Sequence, residues 1–131
     1  VGIHISEGKN LPSGEKISDI KDIIDEQLLG VMLSCVSPEN YEANLNEVKS
    51  LGVPFGFKLN GFVTTKPNPS YTENYLKSKT GNPIEVLGKR EDLTPEKMAR
   101  IVKKFKDSGA TILGGWCETR PAHIKEMAKL I

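Results

Sequence analysis

The sequence has few cysteines, few aromatic residues and no long apolar run. Its two cysteines, Cys35 and Cys117, are too sparse for a secreted disulfide framework and too far apart for a local zinc ribbon, so we expect reduced thiols. No apolar stretch approaches the length that crosses a bilayer, and the N-terminus has neither a basic segment nor a signal-like apolar core. The sequence therefore predicts a cytoplasmic protein with no membrane partner.

The charges are balanced, with 18 Lys and Arg against 17 Asp and Glu in 131 residues. No stripe of basic side chains alternates with aromatic ones, which argues against a nucleic-acid partner. The length fits one small domain over residues 1–131 or part of a larger one. Because the chain starts without Met and already alternates Val1, Ile3 and Ile5 like a strand, we expect it to begin within a longer protein.

Strand and helix signals alternate along the chain. Strand-like runs cover Val1–Ser6, LLGVMLSC, Val53–Leu59 and Thr111–Leu113. Each is followed by helical spacing of apolar residues, with the expected end signals at two of these helices. These signals are Ser37-Pro38 and Thr94-Pro95 at the starts, and Gly52 and Gly109 at the ends; Pro121 opens the last helix, in which Ile124, Met127, Ala128 and Ile131 are predicted to face the sheet.

The connection between the third strand and its helix, residues 60–93, is unusually long. Connections in such units commonly have about 2 to 6 residues, and much longer ones are functional or disordered. A short helix is predicted around Tyr71 to Ser78.

Four strand-helix units with apolar strands predict an α/β fold with a parallel sheet and right-handed crossovers. Two architectures fit: a flavodoxin-like open sheet, or half of a (β/α)8 TIM barrel, which typically needs about 250 residues when complete. Half a barrel leaves two sheet edges and an inner face open, so another segment or chain would have to cover them.

Both cysteines fall at carboxyl ends of predicted strands, where parallel α/β folds place their sites. Paired thiolates suit Zn²⁺, although a catalytic zinc commonly takes about three protein ligands. We interpret His4 and His123 as structural or solvated, and Glu118 as a solvated carboxylate in the first turn of the last helix. The residues predicted to line a binding site are Ser6, Asn60, Gly114, Gly115 and Trp116.

Three segments, in order, resemble the homocysteine S-methyltransferase family. ATILGGWCETRPAHIKEMAKLI is similar to the family's closing strand, which ends in Gly-Gly-Cys-Cys before a Pro-x-His-Ile helix start. LLGVMLSCVSPENYEANL is similar to its Gly-Val-Asn-Cys strand, and VGIHISEGKNLPSGEKISD to its fifth strand with a Leu-x-x-Gly-Glu loop.

This resemblance implies the C-terminal half of a TIM barrel, with strands five to eight and an N-terminal half-barrel or second chain as partner. It implies a zinc ion on three cysteine thiolates, with Cys35 and Cys117 as two of them. The implied reaction methylates homocysteine to methionine from betaine, another onium compound or a methylated folate. No residue of this chain is assigned a direct catalytic role, and the family's homocysteine-binding carboxylates lie in its first half.

The chain departs from the family pattern at two positions. Trp116 stands where the family has the first cysteine of its adjacent pair, and Ser34, which we assign to the substrate site, replaces the family's Asn. Loss of a ligand leaves a second interpretation, a zinc-free and non-catalytic relative that binds a ligand or partner at the barrel mouth.

Overall fold

The fold alternates strands and helices along the chain. The computed structural model describes residues 1–5, 8–64 and 80–130. In chain order, its elements are β1 (Gly2–His4), a 3-10 helix (Ile17–Ile23), β2 (Val31–Val36), α1 (Pro38–Lys49), β3 (Phe55–Leu59), α2 (Ile84–Leu87), α3 (Pro95–Asp107), β4 (Ile112–Gly115) and α4 (Pro121–Ala128).

The four strands form one parallel sheet in the order β1-β2-β3-β4. This sequential order confirms the predicted α/β fold and is consistent with part of a (β/α)8 barrel. A flavodoxin-like sheet reverses its strand order at a switch point, and the described strands show no reversal. The barrel interpretation is therefore the one that the topology supports.

The helix-covered face of the sheet carries the core. Alternate strand residues on this face, among them Ile3, Leu33 and Phe57, are buried. Phe57 lies edge-on to Tyr41 of α1 and Phe105 of α3, with ring centroids 4.8 and 5.6 Å away. This aromatic cluster fixes α1 and α3 against the middle of the sheet.

The opposite face of the sheet, called the inner face here, has two rows of register partners. The first row is Gly2, Met32, Gly56 and Ile112, and the second is His4, Ser34, Lys58 and Gly114. The side chains of Met32, Ser34, Lys58 and Ile112 are only partly buried. In a complete barrel such rows form the packed layers of the interior.

The predicted helix ends at α1 and α3 are confirmed. The hydroxyl of Ser37 accepts a hydrogen bond from the Asn40 amide at 3.1 Å, and that of Thr94 accepts one from the Lys97 amide at 3.3 Å. Gly52 and Gly109 follow these helices with φ of 74° and 109°, a conformation that favours glycine.

Several predicted details differ from the structure. The spacing of isoleucines after β1 predicts an α-helix, but the segment Ile17–Ile23 forms a 3-10 helix with Ile23 exposed. The last strand was predicted to end at Leu113, whereas β4 extends through Gly115. In α4 only Met127 is buried, while Ile124 is half exposed, because this short helix directs only a narrow stripe of side chains toward the core. The helix predicted around Tyr71 to Ser78 lies outside the described residues, as does Ile131. No helix within the described ranges is long and apolar enough to span a membrane.

Candidate functional site at the carboxyl end of the sheet

Cys35 lies at an irregularity near the end of β2. Ser34 pairs with Lys58 and Val36 with Leu59, so Cys35 is an extra residue that opposes no partner on β3. Its φ of 54° is in the left-handed region, which a non-glycine residue adopts at some cost. Bulges of this kind redirect a side chain at the rim of a sheet. The bulge is therefore the local cause of the direction in which the Cys35 thiol points.

Cys117 lies in the turn between β4 and α4. The Trp116 amide donates to the Leu59 carbonyl at 2.7 Å, and the Gly61 amide donates to the Cys117 carbonyl at 2.9 Å. These two bonds continue the pairing of β3 with β4 beyond the strand ends. They hold Cys117 against the residues that follow β3.

The two thiols lie next to each other, and both residues are partly buried. Burial first, and the adjacent Cys117 sulfur second, raise the pKa of Cys35 to about 11. Burial also raises the pKa of Cys117, whereas the neighbouring Cys35 thiol opposes that rise. Burial therefore disfavours the thiolate form of both cysteines.

Asn60, which directly follows β3, contacts Cys35. Its side chain is fully buried, with Nδ2 lying 3.9 Å from Sγ of Cys35 and Oδ1 accepting a hydrogen bond from the Phe62 amide at 3.0 Å. A donor to sulfur favours the thiolate, so Asn60 lowers the pKa of Cys35 against the larger effect of burial. The structure thus brings Asn60 next to the two cysteines.

Trp116 and Ser34, two further predicted site residues, directly precede Cys117 and Cys35 in the sequence. Trp116 is half exposed, with its ring under the Lys58 ammonium at 4.6 Å from Nζ to the ring centroid. Ser34 is partly buried on the inner face beside Cys35. Ser6 lies outside the described residues.

The two glycines before Trp116 differ from each other. A β-carbon on Gly115 would lie 2.1 Å from Cγ2 of Thr119, whereas one on Gly114 would make only ordinary contacts. The missing side chain of Gly115 therefore accommodates Thr119 in the turn. The predicted approach of substrate to either glycine stays a prediction.

The histidines are engaged with the backbone. Nδ1 of His123 accepts a hydrogen bond from the Arg120 amide at 3.0 Å, and its Nε2 lies 3.0 Å from the Leu93 carbonyl. With the proton on Nε2, the ring donates to that carbonyl and links α4 to the start of α3. Nδ1 of His4 lies 3.3 Å from the Ser34 carbonyl. Both contacts agree with the structural role expected for the two rings.

Glu118 differs from the solvated carboxylate that was expected. It precedes α4 with φ of 61°, and its side chain is 17% exposed and paired with Arg120 at 3.2 Å. It borders a cavity of about 240 Å³ near the starts of α3 and α4, which is also lined by Arg90 and His123. The lining residues do not include either cysteine.

A zinc ion fits these residues in part. Two adjacent thiols with a buried amide donor are suitable ligands once deprotonated. Within residues 1–5, 8–64 and 80–130, however, no group of three or more His, Cys, Asp and Glu side chains is placed to hold a metal ion. Any zinc site built on Cys35 and Cys117 needs a further ligand from another part of the intact protein.

Lys58 was missed by the sequence interpretation. It alternates with Phe57 and Leu59, both fully buried on the helix-covered face, so the period of two already placed Lys58 on the inner face. A charged residue at an inward position near a strand's carboxyl end was the available signal.

Comparisons with known proteins agree on one family. The family pattern described as homocysteine S-methyltransferase matches residues 1–131. Homocysteine S-methyltransferase 1 of Zea mays is 25% identical over 127 residues, and homocysteine S-methyltransferase 3 of Arabidopsis thaliana is 22% identical over 131 residues. Each alignment covers 95% of this chain but only 35% and 33% of the relatives. The chain thus spans about a third of the length of these relatives. No solved structure matches it.

Proposed function

The chain belongs to the homocysteine S-methyltransferase family, and from this premise we propose that the intact protein transfers a methyl group to the sulfur of homocysteine, giving methionine. The observation that carries the proposal is the contact of the Cys35 and Cys117 thiols at the carboxyl end of a parallel sheet. The family match supports homocysteine as the acceptor, and the thiol pair supports a metal site at this end of the sheet.

In this proposal Cys35 and Cys117 are two of the ligands of a zinc ion. Zinc, when bound, makes an acceptor thiol available as thiolate at neutral pH. Asn60 donates to the Cys35 sulfur and holds it in the ligating orientation, while the bulge in β2 sets the direction of that side chain. The remaining ligand and the amino-acid-binding groups come from an N-terminal half-barrel or a second chain, which also covers the inner face.

The transfer itself is a displacement at carbon. The acceptor sulfur forms a bond to the methyl carbon, the bond from that carbon to the donor heteroatom breaks, and the donor keeps the electron pair. The acceptor proton passes to solvent. A small onium compound such as betaine leaves as a neutral amine. The nitrogen of a methylated folate instead takes up a proton as it leaves, which balances the proton that the acceptor thiol has released.

Metal analysis of the intact protein tests the ligand assignment. We expect one zinc per chain in the wild type and loss of zinc in both Cys35→Ser and Cys117→Ser. His123→Gln is the matched control, because it removes a ligand-type side chain that is engaged with the backbone, and it should keep the metal. Absence of zinc from the wild type, or unchanged zinc in both cysteine variants, would overturn the assignment. Transfer of labelled methyl groups to homocysteine tests the activity in the same preparations.

Trp116 favours a second candidate function, a zinc-free relative that binds a ligand at the barrel mouth. Its half-exposed ring stands at a position where a ligand cysteine would lie, and it is stacked with Lys58 instead. Trp116→Cys separates the two candidates. If zinc and methyl transfer appear only in this variant, the natural protein is the zinc-free relative; if the wild type already has both, it is the enzyme.

A further inference from the structure

Lys58 extends along the inner face of the sheet toward β4. Its register partner on that strand is Gly114, and a β-carbon there would lie 3.9 Å from Cγ of Lys58. The aliphatic stem of the lysine therefore lies within ordinary contact distance of this position of β4. The ammonium ends over the ring of Trp116, two residues further along.

The ammonium of Lys58 differs from the other cations at this end of the sheet. Arg90 is paired with Glu39 and Asp92, Arg120 with Glu118, and Lys89 with Glu91. In the described part of the chain, no carboxylate lies within 4.0 Å of Nζ of Lys58. The ring of Trp116 orients this charge without neutralising it, since a cation on an aromatic face keeps its full charge.

The residues that position this charge are chain neighbours of the two cysteines. Trp116 precedes Cys117 directly, and Ser34, the register partner of Lys58 on β2, precedes Cys35 directly. His4 is the other titratable residue in this row, and β2 separates it from Lys58. A small molecule whose sulfur or methyl group reaches the two thiols would therefore bring its other end within range of the lysine.

We propose that Lys58, oriented by Trp116, binds a carboxylate group of the small molecule that reaches Cys35 and Cys117. This inference rests on the proposed function for the choice of molecule, and it makes Lys58 a determinant of substrate specificity. A carboxylate is the class of ligand that an ammonium without an ion-pair partner among the described residues would take, and both homocysteine and betaine carry one. The same ammonium occupies the ring face on which an onium group would otherwise lie.

Binding measurements on the intact protein test the proposal with two pairs of probes. L-homocysteine against 3-aminopropane-1-thiol tests a carboxylate of the acceptor, and betaine against choline tests one of the donor. In at least one pair we expect the carboxylate compound to bind about tenfold or more tightly, as charge-assisted contacts typically give. Lys58→Met should abolish that preference and Lys58→Arg should retain it.

Controls separate this inference from a loss of folding and from the proposed function. Lys103→Met removes an exposed, ion-paired lysine of α3 and should leave both preferences unchanged. Circular dichroism checks the fold, and Lys58→Gln serves as a second neutral variant. Loss of the preference in the neutral variants with no methyl transfer in the wild type would overturn the function but support the site. Equal preferences in wild type and both neutral variants would overturn the site, whatever the activity.

Discussion

The buried amide of Asn60 lies between the Cys35 sulfur and the Phe62 amide, donating to one at 3.9 Å and accepting from the other at 3.0 Å. One side chain thus joins the end of β2 to the turn after β3. Since Asn60 is fully buried, no solvent can replace either interaction without a structural change.

Asn60→Ala should destabilise the protein by about 1 to 3 kcal/mol, because it leaves the Phe62 amide buried without its acceptor. Urea unfolding followed by circular dichroism measures the change. Asn46→Ala, at an exposed position of α1, is the matched control and should change stability by less than about 0.5 kcal/mol. Equal stability of the two variants would contradict the role assigned to Asn60.

Gly56→Ala should be among the most damaging substitutions in the sheet. A β-carbon at Gly56 would lie 1.8 Å from the Ile112 carbonyl oxygen, a backbone atom of β4 that cannot move without disturbing strand pairing. We expect a loss of about 3 kcal/mol or more, measured by thermal or urea unfolding. Gly114→Ala is the matched control in a neighbouring strand, where the nearest atom would be 3.5 Å away. Comparable losses at both glycines would show that the clash is not the cause.

Tyr41→Phe should leave stability unchanged or raise it by about 1 kcal/mol. The Tyr41 ring packs edge-on against Phe57 and Phe105, but among the described residues its buried hydroxyl has no hydrogen-bond partner. Removing an unsatisfied buried hydroxyl costs little or is favourable. Tyr41→Ala, which removes the ring as well, should cost about 3 to 5 kcal/mol. Destabilisation by Tyr41→Phe would reveal a partner for the hydroxyl.

Metal-free protein should show slow alkylation of Cys35 near neutral pH. Burial raises its pKa from 9.0 to about 11, so the thiolate fraction at pH 8 is on the order of a hundredfold below that of an exposed thiol. With a chelator present, labelling by iodoacetamide and peptide mass spectrometry should give a rate far below that in urea. The folded rate should still rise between pH 9.0 and about 11.

The same shift has a consequence for stability. The pKa of Cys35 is higher in the folded chain than in the unfolded one. The contribution of this thiol to the free energy of unfolding is therefore fully present below the unfolded pKa of 9.0 and is lost as pH rises toward about 11. Cys35→Ser should flatten this part of the stability profile. Fast labelling at pH 8 in the folded state would contradict both expectations.

Much of the fold could be predicted because its signals are local. Ser37 and Thr94 cap helices through their own hydroxyls, and Gly52 and Gly109 end them with positive φ, so a few neighbouring residues determine each boundary. Strand alternation also placed Phe57 and Leu59 together on one face. Repetition of these units predicted a parallel sheet but left two strand orders open, and the structure shows the sequential one.

The arrangement of the candidate site depended on contacts that local signals do not contain. The bulge at Cys35 arises where β2 pairs with β3, and the contact of its thiol with Cys117 requires the turn after β4 to be held by Leu59 and Gly61. The prediction of an α-helix for the segment from Ile17 was wrong for a related reason. Its spacing predicts an α-helix, but only Ile17 is buried, so there is little packing to favour the longer helix over a 3-10 turn.

The sequential strand order has a consequence for how the chain folds. Within the described residues, each strand pairs only with the strands nearest to it in the chain, so these pairings need no distant partner. During synthesis, β2 can pair with β1 as soon as it leaves the ribosome, and β3 and β4 can add in turn. The thiol pair is completed last, because Cys117 follows the fourth strand.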